Sequence, residues 1–323
     1  MKERVLLIDG TNMFIRSFAA VPTLNVNGEH IGGIVGFLKS LAFAIRQINP
    51  TKCIIIFDGR GGSVRRKKVF PKYKESRNLI RSLNRMYDFG EDYNEVEAMR
   101  YQMMRLTEYF QCIPVQFFMI DAIEADDVIS YLSTGALKES IVTIVSTDKD
   151  FLQLVDNRVT VWNPVTKKLY TPARMLAEFQ MKPENFILFK MIDGDNSDNI
   201  PGVKGVGLKT LQKNVPELKE TVFDLDGLLE HVKPNEKFHA KLIAHKDILE
   251  RNFELMDLSK SNLNITGNTK MLITNALEDG HIPKINKVKF IGLLNEDMAM
   301  NSLVSNVLDW LNTSFSKLNC NAR

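Results

Sequence analysis

Short apolar runs alternate along the first half of the chain with longer stretches in which apolar residues recur at helical spacing. Val5–Ile8, Cys53–Phe57, Val115–Ile120 and Ile141–Ser146 are short and rich in Val, Ile and Phe, and read as buried strands. Ile31–Ile48, Glu95–Phe110 and Ala125–Lys138 read as helices. Strands alternating with helices predict an α/β fold with a mostly parallel central sheet flanked by helices. In such a sheet the functional site lies beyond the C-terminal strand ends. The second half is mainly helical in pattern. Phe186–Met191 reads as a helix, and Leu303, Val304, Val307, Leu308 and Leu311 read as one face of a core-packing helix. Met271–Thr274 reads as a short strand.

Composition narrows this picture without changing it. The 323 residues are 44% hydrophobic and 25% charged, which fits a globular protein and excludes a disordered one. The length suits one large domain or two modest ones. Apolar runs such as Ile54–Phe57 are far too short to span a bilayer, so no membrane role is expected. Met1–Arg4 leads directly into a strand-like run too short to be a signal peptide. Cys53, Cys112 and Cys320 are odd in number and scattered, which favours a reducing compartment over a disulfide framework or zinc cluster.

Charge changes more. Forty-two Lys and Arg against 39 Asp and Glu leave a net charge of only +3, but the charges are segregated. From Arg60 to Arg85 ten basic residues face Glu75 alone, a net +9. Met86–Glu97 follows with Asp88, Glu91, Asp92, Glu95 and Glu97 and no base. The basic block reads as a polyanion-binding surface, or more blandly as a solvated helix face. Phe70 and Tyr73 inside it favour the first reading.

The acids fall at the strand ends. The first strand ends in Asp9, the second in Asp58, the third in Asp121, and the fourth in Thr147-Asp148-Lys149-Asp150; Glu124-Ala125-Asp126-Asp127 opens the helix after the third. Taken singly, Glu124 or Asp127 has a simple role in capping that helix and offsetting its dipole. That role does not explain the whole set. Several carboxylates converging on one sheet edge repel each other unless cations lie between them. Oxygen-only ligands select hard cations, Mg²⁺ or Mn²⁺. No His stands at zinc-ligand spacing near these acids. Two divalent ions in such a site fit phosphodiester hydrolysis.

A second acid pair, Asp195 and Asp198, precedes a glycine repeat, Gly202-Val203-Lys204-Gly205-Val206-Gly207-Leu208-Lys209. Glycines at this spacing allow a tight hairpin between helices. Its amides can hold a DNA phosphate or a monovalent cation, with Lys204 and Lys209 on the duplex backbone.

Six blocks now stand in order: Ile8-Asp9-Gly10-Thr11-Asn12, Phe57-Asp58, Tyr73-Lys74-Glu75-Ser76-Arg77, Glu124-Ala125-Asp126-Asp127, Ser146-Thr147-Asp148-Lys149-Asp150, and the run from Gly194 to Gly207. In this order the chain resembles the 5′ nuclease family, which includes flap endonucleases and the 5′-3′ exonuclease domain of bacterial DNA polymerase I. The resemblance covers residues 4–215. With no polymerase following, it is more similar to the freestanding phage or bacterial enzymes.

The resemblance implies a first metal site of Asp9, Asp58, Glu124, Asp126, Asp127, Asp148 and Asp150, and a second completed by Asp195 and Asp198 with Asp148 or Asp150 shared. It implies that Lys74 and Arg77 act at the scissile phosphate with Asp148 at the metals, and that Tyr73 stacks on an unpaired base. DNA contacts would come from Arg16, Arg65, Lys67, Lys74, Arg77, Gly202, Lys204, Gly205, Gly207 and Lys209. Asp121 and Asp193 fall outside the matched positions. Residues 69–103 would form a helical arch within a nuclease core at 1–185, and 186–323 a helix-hairpin-helix duplex-binding subdomain with its hairpin at 202–211 and an unassigned C-terminal extension. The implied cofactors are two Mg²⁺ ions, with Mn²⁺ as substitute and K⁺ at the hairpin. The implied substrates are branched or 5′-flap DNA and RNA–DNA hybrids. Single-strand-binding and other replication proteins are the implied partners of a monomer in the cytoplasm of a bacterium or phage-infected host. Three competing readings remain. A haloacid-dehalogenase-type phosphatase begins similarly but needs an Asp where Leu7 stands. A PIN-type ribonuclease shares the strand-end acids but is usually shorter and lacks the hairpin. A catalytically dead DNA-binding scaffold would have lost an acid that this chain keeps.

Overall fold

The computed structural model describes residues 2–75, 83, 93–232, 237–259, 265–278 and 282–318. Its main sheet has six strands: β1 (Arg4–Asp9), β2 (Lys52–Asp58), β3 (Gln116–Ile120), β4 (Ile141–Val145), β5 (Val159–Asn163) and β6 (Lys168–Tyr170). They lie in the order β3-β2-β1-β4-β5-β6, parallel except for β6. The order reverses at β1, which pairs with β2 on one side and β4 on the other. The crevice at that reversal opens beside Asp9, the last residue of β1.

Alternation along the strands builds two cores. Val5 and Leu7 of β1 face one cluster and Leu6 and Ile8 the other. The second cluster packs α1 (Gly10–Ala20), α2 (Gly32–Ile48) and α4 (Glu95–Phe110) on one face of the sheet; α3 (Val64–Val69) precedes α4. The first cluster packs α5 (Ala125–Tyr131), α6 (Pro172–Phe179), α7 (Phe186–Asp193), α8 (Leu208–Asn214), α9 (Leu225–His231), α10 (Lys237–Ala244), α11 (Lys246–Met256) and α12 (Gly267–Glu278) on the other. A two-stranded ribbon, β7 (Gly194–Asp195) and β8 (Ile200–Pro201), follows α7.

Four details depart from the sequence pattern. The helix expected over Ala125–Lys138 is α-helical only to Tyr131 and then widens into a π-type turn over Leu132–Ala136. There the Ser133 and Thr134 hydroxyls both donate back to the Ser130 carbonyl, which loosens the ladder. Met271–Thr274 is not a strand but part of α12, with Ile273 buried and Met271 and Leu272 exposed. Four apolar residues do not by themselves separate strand from helix. Leu303, Val307 and Leu311 are buried on α14 (Met300–Asn312), as a core-packing helix requires, but Leu308 faces outward. The Val304 side chain is outside the described residues. Finally, α13 (Lys287–Glu296) and α14, in the extension left unassigned by the sequence pattern, pack in the other core from α8–α12. Phe290, Leu294, Leu303 and Trp310 return to the sheet and join Phe37 and Phe110 in the second core.

Candidate nuclease site

The site begins with the local chemistry of β1. Asp9 ends the strand and caps α1, its Oδ1 accepting the Asn12 amide at 3.0 Å. Its Oδ2 accepts the Ser146 hydroxyl at 2.8 Å, and that hydroxyl accepts the Asp148 amide at 3.0 Å. Asp148 in turn receives the Asp150 amide at 2.8 Å. Asp58, at the end of β2, accepts the Ala125 amide at 2.7 Å and so fixes the start of α5 against the second strand. These short hydrogen bonds aim carboxylates from β1, β2 and the β4 loop towards the crevice.

The carboxylates sense each other there. Burial pushes Asp9 up to about 7, against the lowering effect of the Asn12 and Ser146 hydrogen bonds and with the help of Asp58 and Asp148. Burial and Asp148 raise Asp126 well above the usual carboxylate range. Burial also raises Asp148, opposed by the Asp150 amide and Lys190. Asp150 rises to about 7 through burial and Asp148, opposed by Lys190. Asp150 Oδ1 is buried, lies 2.8 Å from Lys190 Nζ and accepts no well-aligned hydrogen bond. Among the described residues no three acids, histidines or cysteines already stand close enough together to hold a metal ion. The donor set fits a divalent cation nonetheless. It is all oxygen and under-supplied with positive charge, and Asp9, Asp126, Asp148 and Asp150 hold protons more tightly than ordinary carboxylates, as in a site suited to a hard cation.

The second acid pair adjoins the first. Asp195 accepts the Ser197 amide at 2.8 Å, the Ser197 hydroxyl at 2.6 Å and the Asp198 amide at 3.2 Å, an Asx turn. Lys190, buried on α7, spans the two sets with its ammonium 2.8 Å from Asp150 and 3.0 Å from Asp195. Burial works against Asp195 ionising, but Lys190 and Ser197 outweigh it and hold this carboxyl below its usual range. Both Asp121 and Asp193 are exposed, in keeping with their place outside the matched set.

Two of the expected metal ligands are ion-paired within the chain. The buried guanidinium of Arg66 pairs with both Glu124 and Asp127. Arg66 Nη1 bonds Glu124, and Nη2 donates to Asp127 Oδ1 at 2.9 Å. Lys74 Nζ also pairs with Glu124. Burial would raise Glu124, but Arg66 and Lys74 prevail and lower it. Residues 124 and 127 are three apart, so they share one side of the first turn of α5, while Asp126 points to the crevice side. Arg66 therefore does not contribute to a DNA-facing surface, and the basic block is less exposed than its count implies.

Tyr73 is buried in the same region. Expected to stack on a base, it is only 2% exposed and packs with Ile187, Ile200, Leu255 and Met256, its hydroxyl 3.3 Å from Glu124. Its ring is a structural strut in this conformation. Lys74 has a left-handed backbone, and its amide donates to the Asp198 carbonyl at 2.9 Å, which ties the start of the arch to the second acid pair. Lys67 is exposed on α3, while Arg65 is half-buried with Nη2 3.8 Å from Asp127. Arg16 is half-buried on α1; burial lowers its pKa and the Asp9 charge opposes that. Arg77, with the rest of 76–82 and 84–92 in the arch expected at 69–103, lies outside the described residues.

The glycine hairpin has the expected form. At Gly202 a Cβ would lie 2.2 Å from the Asp193 carbonyl oxygen, so only glycine fits. Gly205 has φ +75 at the tip. Val203, Val206 and Leu211 are buried, Lys204 and Lys209 are exposed, and Gly207 leads into α8.

Lys190, Arg66 and Ser146 are the site residues that sequence reasoning missed. Ser146 stood inside a quoted motif. Arg66 had no mark to separate it from nine other basic residues, and Lys190 is a lone lysine in an apolar helix.

A parallel sheet reversing at an acid-tipped first strand, beside a glycine hairpin, is the 5′ nuclease fold. The chain belongs to the 5′-3′ exonuclease family: residues 4–180 match its N-terminal resolvase-like domain and residues 181–278 its C-terminal SAM fold. Among relatives, the thermostable DNA polymerase I of Thermus thermophilus is 32% identical over 79% of this chain and 28% of its own length. The 5′-3′ exonuclease of Aquifex aeolicus is 29% identical over 79% of this chain and 82% of its own length. The chain thus spans little more than a quarter of the polymerase relatives it matches. The T5 D15 protein co-crystallised with metal ions superposes with a TM-score of 0.60 at 21% identity, over 92% of this chain and 99% of that one. A complex of the bacteriophage T5 D15 flap endonuclease with DNA and metal ions gives 0.60 at 20% identity, over 96% and 100%. At these identities the likeness is one of fold. No helix among the described residues is long and apolar enough to cross a membrane.

Proposed function

We propose that this protein is a divalent-metal-dependent, structure-specific 5′ nuclease, with flap endonuclease and 5′-3′ exonuclease activity near single-strand/duplex junctions. The observation that carries this reading is the crevice in which Asp9, Asp58, Asp126, Asp148 and Asp150 converge while Asp195 and Asp198 stand across Lys190. The family match across the nuclease domain and the hairpin supports it over a shorter PIN-type ribonuclease. Mg²⁺ is the expected metal, two ions per site, with Mn²⁺ able to replace it. When bound, the metals supply charge neutralisation at the phosphate and an activated water.

The chain's own residues do the rest. Asp9, Asp58, Asp126, Asp148 and Asp150 hold one side of the metal site and Asp195 with Asp198 the other. Lys74 places its ammonium beside the crevice, where it stabilises charge developing on the phosphate, and Arg77 assists it. Lys204 and Lys209 with the hairpin amides grip the backbone of the downstream duplex and read no bases; K⁺ is an expected further occupant of the hairpin. Exposed members of the basic block, such as Lys67, draw in the 5′ strand. Flap DNA and RNA–DNA hybrids are the expected substrates, which suits RNA primer removal and repair by a cytoplasmic monomer working with replication proteins.

A labelled 5′-flap DNA tests the reading. Cleavage near the junction with Mg²⁺ and none in EDTA is the expected result. An intact flap in Mg²⁺, or cleavage confined to single-stranded RNA hairpins, contradicts it.

A further inference from the structure

One helix touches every part that must act together. Asn252 of α11 is fully buried, and its Nδ2 donates at 2.9 Å both to the Met191 carbonyl, near the end of α7, and to the Pro201 carbonyl, directly before the hairpin. Its Oδ1 accepts Arg251 Nη2 at 2.8 Å, and the Arg251 guanidinium lies 4.5 Å from the centre of the Phe70 ring at the base of the arch. One turn on, the Leu255 carbonyl accepts Arg66 Nε at 2.8 Å, the same guanidinium that holds Glu124 and Asp127. The Met256 carbonyl accepts Gln153 Nε2 at 3.0 Å, three residues past Asp150. Two hydrogen bonds close the circuit on the far side: Lys74 N to the Asp198 carbonyl at 2.9 Å and Asn199 Nδ2 to the Lys72 carbonyl at 2.9 Å.

We infer that Asn252 is a positioning residue that couples duplex engagement at the hairpin to the placement of Lys74 at the base of the arch. The inference rests on the reading of the hairpin as the duplex grip and of Lys74 as the phosphate-facing cation. Its physical basis is that a fully buried carboxamide with both ends satisfied fixes Pro201 and Met191 relative to α11. A hairpin held on DNA then fixes α11, and α11 fixes Phe70, Arg66 and the turn carrying Lys74. Asn252 touches neither metal nor substrate, so it acts only through these neighbours. Without the two bonds the hairpin still presents Lys204 and Lys209, but its position no longer reaches the arch.

The test uses the full chain, a blunt DNA duplex with no flap, and EDTA. Amide hydrogen exchange is followed in the segment 69–75, and duplex affinity by anisotropy. In the wild-type protein, duplex binding is expected to slow exchange of this segment by about threefold or more. In Asn252→Asp, which removes the donors at nearly constant volume, the duplex is expected to bind within about twofold of wild type without slowing that exchange. Flap turnover falls by about tenfold with KM little changed. Arg251→Met, at a half-buried position, should show the same loss of communication, so the test stands even if Asn252→Asp does not fold. Retained slowing in the variants, or a bound wild-type duplex that leaves 69–75 unaffected, overturns the inference. Failure of the wild-type protein to bind duplex at all overturns the underlying reading of the hairpin instead.

Discussion

Two groups of carboxylates meet at the first turn of α5, and they have opposite fates. Glu124 and Asp127 are buried against Arg66, and Glu124 is held below its ordinary range by that guanidinium and Lys74. Asp126, between them in sequence, joins Asp9, Asp148 and Asp150 on the crevice side, and burial with mutual repulsion raises all four. One group has its cation built into the chain. The other is the set proposed to take one from solution. The difference is a matter of helical phase, about 100° per residue, and of where a single arginine on α3 reaches. Adjacent acids can thus be neutralised within the chain and left repelled side by side.

The sharpest way to break this contrast is on the cation-seeking side. Asp148→Asn is expected to reduce flap cleavage in Mg²⁺ by about 10³-fold or more while leaving the thermal midpoint without metal unchanged or raised, since it removes a repelled charge. Steady-state kinetics and a melting curve read the two effects. A large loss of stability without metal would place Asp148 with the scaffold acids.

Arg66→Met probes the other side. Removing the guanidinium strands two buried carboxylates and should cost about 3–5 kcal/mol of stability. Denaturant unfolding measures it. A loss below about 1 kcal/mol would show that Glu124 and Asp127 do not depend on Arg66.

The smallest of these effects is in pH. Folded-state pKa values near 7 for Asp9 and Asp150 exceed the ordinary 3.8, so their protonated forms favour the fold. That stabilisation is complete below about pH 4 and is lost as pH rises towards and through 7. Without metal, the crevice therefore contributes progressively less to stability across this window, and the stabilisation by added Mg²⁺ should grow. Melting curves with Mg²⁺ and with EDTA at pH 5.5 and 8 check the sign. An equal metal effect at both values would contradict the raised pKa values.

Much of this was legible in the sequence. Strand-end acids are visible because a parallel sheet ends its strands along one edge, so their positions in the sequence already bring Asp9, Asp58 and Asp148 together. The hairpin was visible because glycine alone tolerates the approach of Gly202 to Asp193. The split within Glu124–Asp127 was not legible. It depends on Arg66, 58 residues from Glu124, reaching across from α3. The burial of Tyr73 depends likewise on Leu255 and Met256 from α11. Local pattern shows where charge gathers, while long-range packing decides which charges neutralise each other. The return of α13 and α14 to the sheet was hidden for the same reason, since an amphipathic face does not name its partner.

The measurement that bears most directly on the central contrast is Mn²⁺ binding followed by electron paramagnetic resonance for the wild type, Asp126→Asn and Asp127→Asn. The account predicts that Asp126→Asn weakens Mn²⁺ binding by about tenfold or more. Asp127→Asn should bind the metal as the wild type does and lose stability instead. Equal loss of metal affinity in both variants would contradict it.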